Sequence, residues 1–292
     1  MRKREMSLLL LSRLSALLVL GVLGGLLAFL ISRGGPVLGK ELFFGDTPPL
    51  DALFGLRPVW NGIWPAVAGT LFLLLLTMAF AVLPGIGCGV YLACFASPRE
   101  KYWLGLAVDL LAGIPSIVMG LFGFLLIIFL RRTVLPQGST GMLLAAFCLA
   151  LLVLPSLIVA TRSSLEALPD SLLLAAEALG FSRGQTLRHV LLPAAGQGIL
   201  GGVMLALGRA AEDTAVIMLT GAVASAGLPG GLTSKFEALP FAVYYTAAQY
   251  ADRAELDRGY GAALVLLCLS GGLLFLSWRL QMNLERRWKG VR

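Results

Sequence analysis

Four polar residues stand where an apolar sequence leaves little room for them. Arg209, Glu212, Asp213 and Thr214 fall inside Gly196–Ala222, a stretch otherwise apolar enough to cross a membrane. A charged side chain in hydrocarbon costs about 3 kcal/mol or more, so such residues usually face a bundle interior or a water-filled path. On a continuous helix, at about 100° per residue, Arg209, Glu212, Asp213 and Thr220 would share one face, with Gly202 below them. Two roles fit that pattern. One is a self-neutralising i, i+4 pair that lets the helix insert. The other is an anion pathway, because a planar guanidinium matches the paired oxygens of a phosphate. One Arg beside two carboxylates is locally negative, so on the second reading the acids hold Arg209, one is protonated, or a second subunit supplies positive charge.

A second unusual segment is Thr161–Ala195. Pro169 followed by Asp170 and Ser171 marks a helix start, and Gly180 marks its stop. Ser182 can cap another short helix that ends before Pro193. The first of the two, Leu172–Leu179, is apolar nearly all round, so it either packs beneath the bundle or docks on a partner. Other chemistries find little support. Gly34–Glu41 matches a phosphate loop up to its last position, where Glu41 replaces the Mg-binding hydroxyl, and it follows no strand. The reading is that this chain binds no ATP itself. His189 is the single histidine and no Cys/His cluster exists, so neither a metal site nor another resident cofactor is expected. Cys88, Cys94, Cys148 and Cys268 fall in or beside apolar stretches, which argues against a disulfide framework.

These residues need a membrane scaffold. Of the 292 residues, 58% are hydrophobic and 13% charged, against roughly a quarter charged in soluble domains. In lipid each backbone polar group must be satisfied internally, so the long apolar stretches should be helices of about 20 residues. Six are expected: Ser7–Ile31, Ala66–Leu92, Leu104–Leu130, Gly141–Ala160, Gly196–Ala222 and Gly261–Leu280. The first is too long for a signal-peptide core and lacks a small-residue cleavage site, so it reads as a retained anchor. Fourteen Lys and Arg fall on the side of the N-terminus and eight on the other, with Arg209 completing the 23. Both termini are therefore expected in the cytoplasm. The net charge of +7 follows from that orientation and calls for no nucleic-acid partner. Ser32–Pro65, with Trp60 and Trp64, reads as an interfacial aromatic belt; Val223–Tyr260 could lie on the membrane or meet an external partner. Pro84, Pro115 and Pro155 interrupt spans and can kink them. Gly21/Gly25, Gly85/Gly89 and Gly198/Gly202 keep a spacing that permits close helix packing.

The cytoplasmic segment resembles the loop of integral-membrane subunits of bacterial ABC importers, whose motif reads E-A-A, three residues, Gly, nine residues, I-x-L-P. Ala175-Ala176 precede Gly180 by that interval, and Val190-Leu191-Leu192-Pro193 follow after nine more. Leu174 stands where the family has Glu, and Glu177 lies at i+3 on nearly the same face. Pro115 to Gly123, which includes Ser116, is similar to the third-span signature of phosphate-type permeases. Gly208 to Ala215 is similar to their fifth-span motif, A-R-x-x-G-E-T-A, with Glu212-Asp213 in place of Gly-Glu.

The resemblance implies an all-α membrane protein of the type I ABC importer permease fold. A 1–65 anchor and outer loop would precede a 66–284 permease domain, with the coupling loop at 161–195 and a basic tail at 285–292. It implies Leu174, Ala175, Ala176, Glu177, Gly180, Val190 and Pro193 as contacts of the ATPase, and Arg209, Glu212, Asp213, Thr214 and Ser116 along the substrate path. Its partners would be a second homologous permease, an ABC ATPase dimer carrying ATP and Mg, an extracytoplasmic phosphate-binding protein and membrane lipid. Phosphate import is the expected activity; molybdate, tungstate or sulfate import and an ion-coupled carrier are the alternatives.

Overall fold

A computed structural model describes the backbone of residues 2–134 and 136–288. Among these residues every regular element is a helix, and a lone bridge between Ala222 and Phe236 is the one β-type contact. The elements are α1 (Arg2–Gly34), α2 (Lys40–Phe44), α3 (Pro49–Leu53), α4 (Trp64–Cys94), α5 (Pro98–Ala112), α6 (Ser116–Thr133) and α7 (Met142–Glu166). They continue as α8 (Asp170–Ala178), α9 (Arg183–Thr186), α10 (Leu192–Glu212), α11 (Ala215–Thr220), α12 (Leu239–Gln249) and α13 (Arg253–Trp288). Six segments are long and apolar enough to cross a bilayer: Met6–Val37, Trp64–Cys94, Ser116–Thr133, Met142–Glu166, Arg183–Glu212 and Arg253–Leu276. The chain is a multi-pass membrane protein. Lys289–Arg292 of the basic tail lie outside the described residues.

Helix α7 forms the centre, packed against α4, α10, α5, α6 and α11. One cluster joins its first half (Met142, Leu149, Leu152) to Leu73, Met119, Ile217 and Phe236; a second joins Val153 and Leu157 to Leu74, Ala81, Ala206 and Ala210. Glycines set the spacing. An added methyl at Gly85 would lie 2.7 Å from Leu157 Cβ, and one at Gly89 would lie 2.6 Å from Thr161 Cβ. Gly198 and Gly202 meet Ser164 and Ala160 just as closely. The glycine pairs of α4 and α10 thus bring both helices onto α7, as their spacing suggests. A methyl added at Gly21 or Gly25 of α1 would meet nothing within 4 Å outside its own helix backbone.

Two expected spans are broken. Leu104–Leu130 divides at Gly113-Ile114-Pro115 into α5 and α6, because Pro115 has no N–H to give and its ring disfavours helical geometry in the residue before it. Gly196–Ala222 divides at Asp213-Thr214, where Asp213 turns extended (φ −75°, ψ 114°). Pro84 and Pro155 stay within continuous helices. The last helix begins at Arg253, two turns ahead of the expected Gly261.

At the end of the bundle remote from α8, residues 221–238 fold back onto the start of α7. The N–H groups of Gly141, Met142 and Leu143 donate to the carbonyls of Thr220, Ser234 and Leu232 at 2.9, 3.2 and 2.7 Å. These are donors that a helix start would otherwise leave unpaired. Phe236 is fully buried beneath this loop. The stretch Gly34–Glu41 forms the end of α1, a 3₁₀ turn and the start of α2, so it is no strand–loop–helix phosphate site.

Candidate functional site: a broken fifth span and an exposed loop helix

Arg209 lies in the last turn of α10 with its side chain exposed, and Glu212, also exposed, closes that helix. Asp213 lies beyond the helix end. Its Oδ1 accepts the N–H of Val216 at 2.8 Å, which satisfies one orphan donor of α11. Thr220 is buried, and its hydroxyl donates to the Val216 carbonyl at 2.6 Å. The single charged face expected for Arg209, Glu212, Asp213 and Thr220 therefore does not form, because the helix that would carry it stops at Glu212. The i, i+4 pair does not form either: no ion pair joins Arg209 to Glu212 or Asp213 among the described residues.

Two sequence-distant motifs do meet. Gly120 of α6 lies against Ala215 and Leu219 of α11, and Gly123 lies against Thr220 and Cys148. Both helices therefore run side by side in one direction. Ser116, half-buried, opens α6 one turn before Gly120, and Thr214, half-buried, precedes α11 at the matching position.

The loop helix α8 starts behind Pro169 and stops where Gly180 adopts φ +75°, a conformation that glycine reaches without steric cost. Ser182 caps α9 as expected: its hydroxyl accepts the Gln185 N–H, and the Gln185 side chain accepts the Ser182 N–H at 2.9 Å. The second short helix does not end before Pro193. A π-turn, Leu187–Leu191, carries it into α10, with Pro193 in the first turn and Val190 half-buried inside the π-turn. The wider turn omits a hydrogen bond that proline could not donate.

On α8 only Ala176 is buried, at 1% exposed, while Leu173, Leu174 and Leu179 are 42%, 64% and 74% exposed. Ala175, Glu177 and Gly180 are also exposed. Ala176 therefore seats the helix against its own chain, and the neighbouring leucines form the outward surface. Beside it a cleft of about 270 Å³ is lined by Leu173, Glu177, Phe181, Arg183, Leu187 and the end of α4 at Cys94 and Phe95.

The sequence reading missed what anchors the loop. Glu166 Oε1, at the end of α7, takes Arg162 Nε at 3.1 Å and Lys101 Nζ at 3.4 Å, and Lys101 also reaches the Ala93 carbonyl. Arg162 and Glu166 are i, i+4 and so legible; Lys101, 65 residues away, is not. On α5, Ser97 and Glu100 form a capping box. The Ser97 N–H and hydroxyl and the Tyr91 hydroxyl hold the Glu100 carboxyl below the ordinary carboxylate value.

The bundle thus has two interrupted apolar spans and holds an apolar helix outside it on a charged base. Residues 85–290 match the family of binding-protein-dependent transport system inner membrane components, and the chain belongs to that family. It is 32% identical over 265 residues to the phosphate transport system permease protein PstA of Haemophilus influenzae, covering 89% of each chain. It is 32% identical over 231 residues to the phosphate transport system permease protein PstC of Mesorhizobium japonicum, covering 70% of this chain and 68% of that one. A structure of the MetNI methionine ABC transporter in an inward-facing conformation aligns at a TM-score of 0.59 with 20% identity, over 76% of this chain and 97% of that one. A bacterial ABC transporter for the import of alginate aligns at 0.60 with 15% identity, over 91% and 95%. The chain has the type I ABC importer permease fold.

Proposed function

We propose that this chain is one of two permease subunits of an ATP-driven importer of inorganic phosphate in a bacterial cytoplasmic membrane. The observation that carries the reading is the 32% identity to a phosphate permease along 89% of both chains. In this reading both termini and α8 face the cytoplasm. ATP and Mg belong to an ABC ATPase dimer, and α8 docks on that dimer through Leu173, Leu174 and Leu179. A second, similar permease completes the path, and a phosphate-binding protein delivers substrate to the loops at the opposite end. The ion-coupled carrier loses ground, because a carrier without an ATPase has no use for an apolar helix held out on a charged base.

Within the path, Arg209 is the cation available to phosphate. It is exposed and its two neighbouring acids are not paired with it. Ser116 and Thr214 sit at the paired starts of α6 and α11, where their hydroxyls can donate to an oxyanion that has shed water. The test is radiolabelled phosphate uptake by the reconstituted complex, competed with sulfate and molybdate. Arg209→Lys should lower uptake at least tenfold at matched expression, because a point charge cannot replace the planar fork. Uptake within about twofold of the parent for Arg209→Lys would remove Arg209 from the path.

A further inference from the structure

Two helix breaks and two helix-internal prolines fall in one layer. The contacts of Gly120 and Gly123 set the starts of α6 and α11 side by side, so Gly113–Pro115 and Asp213–Thr214 share a level. Gly85 abuts Leu157, which puts Pro84 of α4 within about a turn of Pro155 of α7. On α7, Cys148 meets Gly123 on one side of Pro155, and Ala160 meets Gly202 on the other. Contacts with α6 lie before that proline, whereas those with α10 run from Ala150 and Val153 across it to Ala160 and Ser164.

Each side of the layer is tied internally. On the far side, α11 and the first residues of α7 share backbone hydrogen bonds with residues 221–238, and α6 packs on α11 through Gly120 and Gly123. On the loop side, α5 and α7 are tied by Lys101 and Glu166, and Arg183–Glu212 is one uninterrupted helix leading from the exposed loop to the break.

Asp213 makes the break a defined joint. Its extended backbone ends one helix, and its Oδ1, accepting the Val216 N–H at 2.8 Å, starts the next. A carboxylate used in this way is not free to neutralise Arg209. We propose that Asp213 is the positioning residue of a pivot, about which Arg183–Glu212 swings when the loop helix is displaced. Arg209 lies four residues from the pivot, about 6 Å along the helix, and Gly184 lies 29 residues away, about 44 Å. A swing that moves the loop end by about 5 Å therefore moves Arg209 by less than about 1 Å. The inner mouth opens while the anion contact stays in place. This rests on the reading of the chain as an ATP-driven permease.

The test uses the full complex in nanodiscs, free of its native cysteines, with spin labels at Phe129 on α6 and at either Leu205 or Gly184. Distances are compared between the nucleotide-free and vanadate-trapped states. A pivot at Asp213 predicts a change at Gly184 about three to four times that at Leu205, in proportion to about 44 Å and about 12 Å. Equal changes at the two positions overturn the pivot. Asp213→Asn, which keeps the acceptor oxygen, should retain this gradient. Asp213→Ala should broaden the Leu205 distance and raise the ATP hydrolysed per phosphate about fivefold, as loss of a helix cap implies. An Asn variant as defective as the Ala variant shows that charge, not capping, is what Asp213 supplies, and overturns the assignment. The label distances are read without any anion, so a complex that moves as described yet takes up no phosphate refutes the substrate and leaves the pivot standing.

Discussion

Replacing Leu179 with Ser probes the docking surface without touching the fold. Leu179 is 74% exposed and Leu174 64% exposed, so neither supports the packing of this chain. Fully burying a leucine side chain is worth about 1.5–3 kcal/mol. Covering the exposed part of Leu179 with an ATPase groove should then return about 1–2 kcal/mol, and its loss should weaken binding about 5- to 30-fold. The double change Leu174→Ser with Leu179→Ser should cost about 2–4 kcal/mol if the sites act independently. The assay is titration of the ATPase onto the permease in nanodiscs, with a melting curve of the isolated permease as control. Ala176→Trp gives the opposite signature, because Ala176 is 1% exposed within its own chain. It should lower the melting temperature before any partner is added. Affinity of the double serine variant within twofold of the parent would refute docking through this face.

Three further outcomes test the structure. Gly85→Val should destabilise the bundle by about 1–3 kcal/mol, since even a methyl would stand 2.7 Å from Leu157 Cβ; an unchanged melting temperature in detergent contradicts the α4–α7 packing. Gly180→Ala forces a side chain into φ +75° with open space around it, a cost of about 1–2 kcal/mol confined to the loop. Hydrogen exchange should speed up in α8 and α9 while the spans keep their rates; an unchanged α8 rate speaks against this helix end. Burial pushes the Glu237 carboxyl up, partly offset by N–H donors from Gly227 and Ala226. The folded chain then binds that proton more tightly than the unfolded one, so the penalty is absent at low pH and grows as pH rises through the raised value. Glu237→Gln should raise the melting temperature at neutral pH and leave it unchanged below the ordinary value of 4.5; the same gain at every pH refutes the cause.

How much of this was legible follows from which signals are local. Six spans could be read because about 20 consecutive apolar residues are a property of the sequence itself. Gly180 and Ser182 were legible because a left-handed stop and a capping box are written in neighbouring residues. The break at Asp213 was not, although Asp is a common helix cap. Hydropathy runs straight across Gly196–Ala222, and the groups that make the break affordable lie on α6, where Gly120 and Gly123 give α11 a seat. Lys101 escaped for the same reason: its partner is 65 residues away. The π-turn before Pro193 depends on a choice between ending a helix and widening it, and neighbouring packing decides that choice.

Exposed apolar surface carries different meaning at different heights in this molecule, and that separates the docking helix from the spans. Leu71, Leu75 and Leu83 on α4 are 42%, 71% and 80% exposed, but they lie in a span, where a bilayer can cover them at no cost. Leu174 and Leu179 are exposed to a similar degree but lie beyond Arg162, Lys101 and Glu166, three charged groups joined at the end of α7. A charged cluster of that kind marks the water side of a span, so lipid does not cover the leucines beyond it. Nor does their own chain, which buries only Ala176 of α8. Leucines held out by a glycine stop, a capping box and a salt-bridged base would cost free energy in water unless another protein covered them. The same reasoning does not extend to α1, whose apolar surface belongs to a stretch long enough to cross a bilayer and so needs no protein partner to leave water.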